Sequence, residues 1–294
     1  RILRTIFRTS MRPEPNYGRF VCPEHYQAAR DISAAGVVLL KNDNNVLPLN
    51  VPEGGKILLV GENAVKKMVV GGGSSNLKTA YEVNPLEGIQ NAYAGWAEVV
   101  WARGYVGDTS TSYNLVDTGQ DLSDSRSPEE LIAEAVEQAK DADYVIFVGG
   151  LNKSDHQDNE GTDRLQITLP YNQEDIILAL AEVAKNLVVV NISGSPVAMP
   201  WADSADAIVQ GWYGGTESGN ALADVLTGKV NPSGKLPATI EKSFKDSPAY
   251  GMIPKGLKVS HTAKNVNELW IAPRHYDVEY KESVLVGYRW YETK

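Results

Sequence analysis

Cysteine is almost absent from this 294-residue chain, where Cys22 stands alone. An internal disulfide is therefore excluded, and so is a zinc site built on several thiolates. One thiol leaves the compartment open. Cys22 reads as a buried or linker thiol, because no activating His is visible beside it. Long apolar runs are missing too. No stretch approaches the roughly 18 residues needed to cross a bilayer. The longest, Gly36 to Leu40 and Leu187 to Val190, are short and β-branched, as buried strands are. Excess positive charge is lacking: 28 Lys and Arg face 37 Asp and Glu, for a net charge of −9. That argues against nucleic acid or a membrane as partner and suits a neutral substrate. No small-residue cleavage pattern follows the basic, amphipathic Arg1 to Ser10, so no signal peptide is legible. A chain running from Arg1 to Tyr291-Glu-Thr-Lys294 reads as cut from something longer.

What is present is an alternation. With 43% hydrophobic residues, the chain can fill one large core or two modest ones. Residues 1–22 read as a helix end and a linker containing Pro13, Pro15 and Gly18. Pro23 opens a helix that stops at Gly36, and a strand, Val37 to Leu40, follows. Further strands are expected at Lys56 to Val60, Glu98 to Trp101, Asp143 to Val148, Leu187 to Ile192 and Ala207 to Trp212. Between them lie helical patterns. Ser127 and Glu130 form a capping box ahead of Leu131, Ile132, Ala135, Val136 and Ala139. A second helix spans about Gln173 to Lys185, and a third, carrying Leu222, Val225 and Leu226, stops at Gly228.

Such alternation implies an α/β fold: a three-layer α/β/α sandwich around a mainly parallel, flavodoxin-like open sheet of about six strands. The sandwich is expected over 23–240. Residues 241–294 lose the pattern and carry Trp270, Tyr276, Tyr288, Trp290 and Tyr291, as an extension docking on something would. Right-handed crossovers place the strands' C-terminal ends on one edge, where ligands bind in such sheets. The loops to inspect for chemistry therefore begin at Gly61, Gly149, Ser193 and Gly211.

The densest polar loop, Asn152 to Arg164, leaves that edge with Asp155, Asp158, Glu160, Asp163, His156 and two cations. A calcium loop with Gly161 at its turn would start at His156 and need a carboxylate at Ile167, and both positions fail. A transition-metal site on His156 lacks a partner His nearby. A third reading makes Glu160, beside Gly161, a mobile acid/base carboxyl, with Asp163 and Arg164 pairing to anchor the loop. On composition alone, a solvated acidic loop is the stronger reading. Gly71-Gly72-Gly73 with Ser74-Ser75 lacks the Lys-Ser/Thr ending of a phosphate loop; a tight turn beside a sugar, with Ser75 donating, and a purely structural turn are comparably plausible. Gly194-Ser195-Pro196 fails as a nucleophile elbow because Pro196-Val197 breaks the motif. Gly214-Gly215-Thr216-Glu217 begins a helix whose dipole Glu217 already complements, which favours a structural role over an anion site.

Taken together, several segments resemble glycoside hydrolase family 3 in its second, α/β-sandwich domain. They are Gly36-Val-Val-Leu-Leu-Lys-Asn42 with Leu47-Pro48-Leu49; Gly61-Glu-Asn-Ala64; Gly71-Gly-Gly-Ser-Ser75; Pro85-Leu-Glu-Gly-Ile89; Glu160-Gly-Thr-Asp-Arg164 with Leu169-Pro170; Gly211 to Ala221 with Pro232-Ser-Gly-Lys-Leu-Pro237; and Val286-Gly-Tyr-Arg-Trp-Tyr291. The likeness spans nearly the whole chain in order. It implies that a (β/α)₈ barrel, ending within 1–22, supplies an Asp nucleophile, and that 241–294 leads towards a fibronectin type III-like domain. It implies Glu160 as general acid/base and Ser75, with Ser74, as sugar contacts. Asp163 and Arg164 would hold the loop. The implied activity is that of an exo-acting retaining β-glucosidase, with a β-xylosidase second. The substrate would be a β-linked oligosaccharide or aryl glycoside, without metal or cofactor. The chain alone is expected to be inactive, its barrel partner missing. A non-catalytic carbohydrate-binding or scaffold domain and a nucleotide binder are the alternatives. The resemblance leans towards a secreted or periplasmic location.

Overall fold

Tyr144–Gly150 (β6) and Leu187–Ile192 (β7) are buried along their whole length, as unbroken runs of Val, Ile and Leu require of strands covered on both faces. They lie side by side in parallel at the middle of the sheet. The computed structural model describes residues 1–11, 18–69, 72–109, 112–113, 116–161, 163–164, 166–252, 257–259, 269–271 and 277–293. The expected linker prolines Pro13 and Pro15, together with Gly71, Thr162 and Tyr276, fall outside that set.

In chain order the strands are Val38–Asn42 (β1), Lys56–Val60 (β2), Glu98–Ala102 (β3), the two-residue pieces Ser112–Tyr113 (β4) and Val116–Asp117 (β5), then β6, β7 and Ala207–Gln210 (β8). The main sheet runs β1-β8-β7-β6-β2-β3. It is parallel throughout except for β1, which closes the edge antiparallel to β8. Numbered among themselves, the five parallel strands have the order 2-1-3-4-5, the flavodoxin-like arrangement. Its topological switch point lies between β2 and β6, where crossovers depart to opposite faces and leave a crevice at the strands' C-terminal ends.

The helices are Ile2–Thr9 (α1), Pro23–Gly36 (α2), Pro85–Ala92 (α3), Pro128–Ala139 (α4), Gln173–Ala181 (α5) and Ser218–Leu226 (α6). One core joins Ala34, Ile89 and Leu222 to Ile57, Leu59, Ile146 and Val190; the other joins Ala135, Ala139, Ile176 and Leu180 to Leu58, Val60, Val145 and Val189. Successive strand residues thus serve opposite layers, which is the expected sandwich. Each fully buried Ile or Leu contributes roughly 1.5–3 kcal/mol.

Local chemistry sets the helix ends. Ser127 Oγ accepts from Glu130 N at 3.2 Å while Glu130 Oε2 accepts from Ser127 N at 2.8 Å. A second such box, Asn84 with Glu87, opens α3. That helix has only eight residues, too few turns to show in the apolar spacing. Helix α5 stops at Ala181, short of the expected Lys185, where Val183 N bonds to Leu180 O three residues back and tightens the last turn. Helices α3 and α6 meet through glycine: a Cβ on Gly88 would lie 2.0 Å from Gly219 O.

The extension carries a short ribbon of Leu257–Val259 (β9) with Leu269–Ile271 (β10), and ends in Tyr288–Thr293 (α7). Tyr291 OH donates to Glu241 Oε1 at 2.5 Å, tying α7 to the start of the extension.

Candidate active site

The loop after β6 leaves from the switch point. It starts as a self-wired turn. Asn152 Oδ1 accepts from Ser154 N and Oγ at 2.9 and 2.5 Å, Gln157 Oε1 accepts from Asn152 N at 3.0 Å, and Gln157 Nε2 donates to Tyr171 OH at 2.6 Å. Beyond it the loop meets the glycine-rich segment that follows β2. Glu160 N donates to Gly72 O at 3.1 Å, and Ser74 N donates to Glu160 Oε2 at 2.5 Å. The glycines are a steric necessity. Gly73 has φ +98°, and a Cβ there would stand 2.3 Å from the Glu160 Cβ. Two segments 86 residues apart are thereby laid together, and the expected Glu160 and Ser74 become direct partners.

Glu160 is exposed. Hydrogen bonding from the Ser74 side chain, then from its backbone N–H, holds the carboxyl below the usual carboxylate range. Within this chain Glu160 is therefore ionised at neutral pH, with neither the burial nor the neighbouring anion that raises a catalytic acid. Ser75 is exposed beside it and lines a cavity of about 180 Å³ whose wall includes Lys66, Glu82, Lys153, Trp212 and Tyr213.

The expected Asp163–Arg164 pair is not formed. Arg164 Nη1 donates to Ser195 Oγ at 3.0 Å and to Pro196 O at 2.5 Å, and Nη2 donates to Ile167 O at 3.2 Å. Asp163 is exposed, and its backbone O lies 3.1 Å from His156 Nδ1. The carbonyl and hydroxyl oxygens of residues 167, 195 and 196 satisfy the half-buried guanidinium's donors, while the Asp163 carboxylate stays in solvent. Arg164 thus bonds to the loop after β7 and to Ile167 rather than to Asp163. At the start of α6, Glu217 Oε1 accepts from Tyr81 OH at 2.5 Å and Oε2 from Asn220 Nδ2 at 2.7 Å. The Glu217 carboxylate stands at that helix end but bonds side chains there, not the helix's backbone N–H groups.

Residues 37–288 match the glycosyl hydrolase family 3 C-terminal domain. The chain belongs to that family. Beta-glucosidase BoGH3A of Bacteroides ovatus is 42% identical over 100% of this chain, which covers 37% of the relative. The periplasmic beta-glucosidase of Salmonella typhimurium is 40% identical over 77% of the chain and 30% of its own length. The crystal structure of the Bifidobacterium adolescentis GH3 beta-glucosidase superposes with a TM-score of 0.74 at 30% identity, over 99% of this chain and 37% of that one. The chain thus spans about a third of the length of the curated relatives it matches.

Within this family 3 domain, sequence reasoning passes over one carboxylate. Asp158 Oδ2 accepts from Gly194 N at 2.7 Å and from Tyr213 OH at 2.8 Å, and its Oδ1 accepts from Ser195 Oγ at 2.6 Å. Lys153 Nζ sits 4.1 Å from the Tyr213 ring centroid. Burial pushes the Lys153 ammonium down while Asp158 opposes that shift. Nothing in the spacing of four loop carboxylates singles out Asp158, because its partners come from the loops after β7 and β8. Among the described residues, no group of three His, Cys, Asp or Glu lies close enough to hold a metal ion.

Proposed function

We propose that this chain is the acid/base-bearing domain of an exo-acting, retaining β-glucosidase, with Glu160 as general acid and then general base. The observation that carries the reading is the placement of Glu160: an exposed carboxyl at the switch-point rim, held against the glycine-rich loop beside Ser75. Retaining hydrolysis needs two carboxyl groups roughly 5–5.5 Å apart across the scissile bond. A barrel domain preceding residue 23 supplies the attacking Asp. Its negative charge, and closure over the rim, raise the Glu160 pKa from the low value it has here. Ser75 and Ser74 line the sugar's approach.

Two features support a partner domain. The relatives are nearly three times as long as the matched chain. In α1, Ile2, Leu3, Ile6 and Phe7 lie on the surface, with 78%, 68%, 42% and 61% exposure. Such a stripe belongs against another module. In this reading residues 241–294 lead towards a fibronectin type III-like domain. The location is secreted or periplasmic, in keeping with the name of the Salmonella relative.

The test is Glu160→Gln in the full-length enzyme, assayed on an alkyl and on a 2,4-dinitrophenyl β-glucoside. General acid assistance is worth roughly 10²–10⁴-fold, so the alkyl substrate should lose at least about a hundredfold. The dinitrophenyl substrate leaves without help and should keep most of its kcat/KM. Azide should accelerate its turnover in Glu160→Ala. Wild-type rates on both substrates refute the assignment. The same assay on xylosides decides between glucosidase and xylosidase, and the chain alone should hydrolyse neither.

A further inference from the structure

We propose that Asp158, acting through Ser195, is the positioning residue that fixes where the Glu160 carboxyl stands. This rests on the reading of Glu160 as the acid/base. Among the described residues, Glu160 itself is held to the glycine-rich loop, through Gly72 O and Ser74. Gly72 and Gly73 both have positive φ, so that support is a loop bearing on a loop. A catalytic carboxyl must be held within about 0.5 Å of its productive place, and that tolerance has to be referred back to the sheet.

Asp158 provides the reference. Its two oxygens collect three donors, Gly194 N and Ser195 Oγ from the loop after β7 and Tyr213 OH from the loop after β8. Both loops leave buried strand ends, where Ser193 is 0% and Gln210 1% exposed. Ser195 then joins both feet of the arch that carries Glu160. Its Oγ donates to Asp158 Oδ1 at 2.6 Å and accepts from Arg164 Nη1 at 3.0 Å. Glu160 stands between these feet, two residues after one and four before the other. Lys153 lies over the Tyr213 ring and backs the same corner.

The chemistry favours a carboxylate, which accepts at all three contacts. Asn at 158 can keep its oxygen on Gly194 N and Tyr213 OH only by turning its NH₂ to Ser195 Oγ, which would then accept from both that NH₂ and Arg164 and no longer donate. Loss of the charge also roughly halves the strength of each bond. The foot loosens, and Glu160 moves with it.

The experiment compares Asp158→Asn, Ser195→Ala and Glu160→Ala in the full-length enzyme, reading kcat/KM on alkyl and 2,4-dinitrophenyl β-glucosides. Ser195→Ala removes one oxygen and is the guard against a folding defect. Misplacement by about 1 Å costs up to about 10²-fold. Asp158→Asn and Ser195→Ala should therefore lose about 10- to 100-fold on the alkyl substrate and less than about threefold on the dinitrophenyl one. A merely structural role would lower both substrates alike, or only the melting temperature. In this chain alone, both variants should speed tryptic cleavage after Lys153 and Arg164. Wild-type leaving-group dependence in Asp158→Asn and Ser195→Ala, with Glu160→Ala impaired on the alkyl substrate, overturns the positioning role and leaves Glu160 standing. No leaving-group dependence in Glu160→Ala overturns both, while faster proteolysis would then show the clamp holding a loop of another purpose.

Discussion

Replacing Glu62 by Gln changes one charge and almost no volume, yet it should cost this domain a large part of its stability. Glu62 follows β2 in the Gly61-Glu-Asn-Ala64 stretch, with its side chain 1% exposed between two cations. Arg103 Nη2 lies 2.8 Å from Oε2 and Lys66 Nζ lies 3.4 Å from Oε1, on side chains 6% and 2% exposed. Gly107 N also donates to Oε2 at 2.8 Å. At an effective dielectric near 20, these separations give attractions of about 6 and about 5 kcal/mol. Desolvation of the three ions offsets most of that. Glu62→Gln keeps most of the offset and discards this attraction, leaving Arg103 and Lys66 without the carboxylate that lies between them. The expected loss is about 3–5 kcal/mol. At roughly 2–4 °C per kcal/mol for a domain of this size, the melting temperature should fall by at least about 6 °C. Urea denaturation with an unchanged m-value should give the same energy. Adding Lys66→Met removes one of the two cations that face Glu62, so the double variant should be at least about 1 kcal/mol more stable than additivity predicts. A loss below about 1 kcal/mol, or strict additivity, would refute the reasoning.

Gly88→Ala would raise the propensity of an isolated helix by about 1 kcal/mol, but here the methyl meets Gly219 O at 2.0 Å. A net loss of roughly 1–3 kcal/mol in urea is expected, and equal or higher stability would show that the helix pair is not close-packed. Asp224 concerns acid stability. Its carboxylate takes a bidentate pair from Arg30 at 2.6 and 2.7 Å and lies 3.1 Å from Lys229. Burial raises its pKa, but the two cations outweigh burial and hold it below its ordinary value. A depressed folded pKa contributes stability above the unfolded value near 3.9, which is lost as pH falls through the folded value. Asp224→Asn should therefore be less stable at pH 7 and lose less than wild type between about pH 5 and pH 2 in urea titrations. Parallel curves would contradict this.

Much of the fold was legible because its determinants are local. Ser127 with Glu130, Pro23 at a helix start, Gly228 at a stop and the Val-rich strands each state their structure within a few residues. Glu160 was legible as one segment among several in a recognisable order. Adjacency in sequence suggests an Asp163–Arg164 pair. The guanidinium instead found carbonyls and a hydroxyl from residues 167, 195 and 196.

The sequence by itself determined the strands of the main sheet and its longer helices, that the sheet is mainly parallel, and on which edge the loops after the parallel strands lie. Periodicity, caps and the handedness of crossovers act along the chain and need no knowledge of distant partners. Only the tertiary structure decided that β1 closes the sheet antiparallel to β8, that Ser74 meets Glu160, and that Asp158 joins three loops at Ser195 and Tyr213. Those contacts span from 36 to about 170 residues. They depend on the order in which strands lie across the sheet, a property of packing that no local window contains.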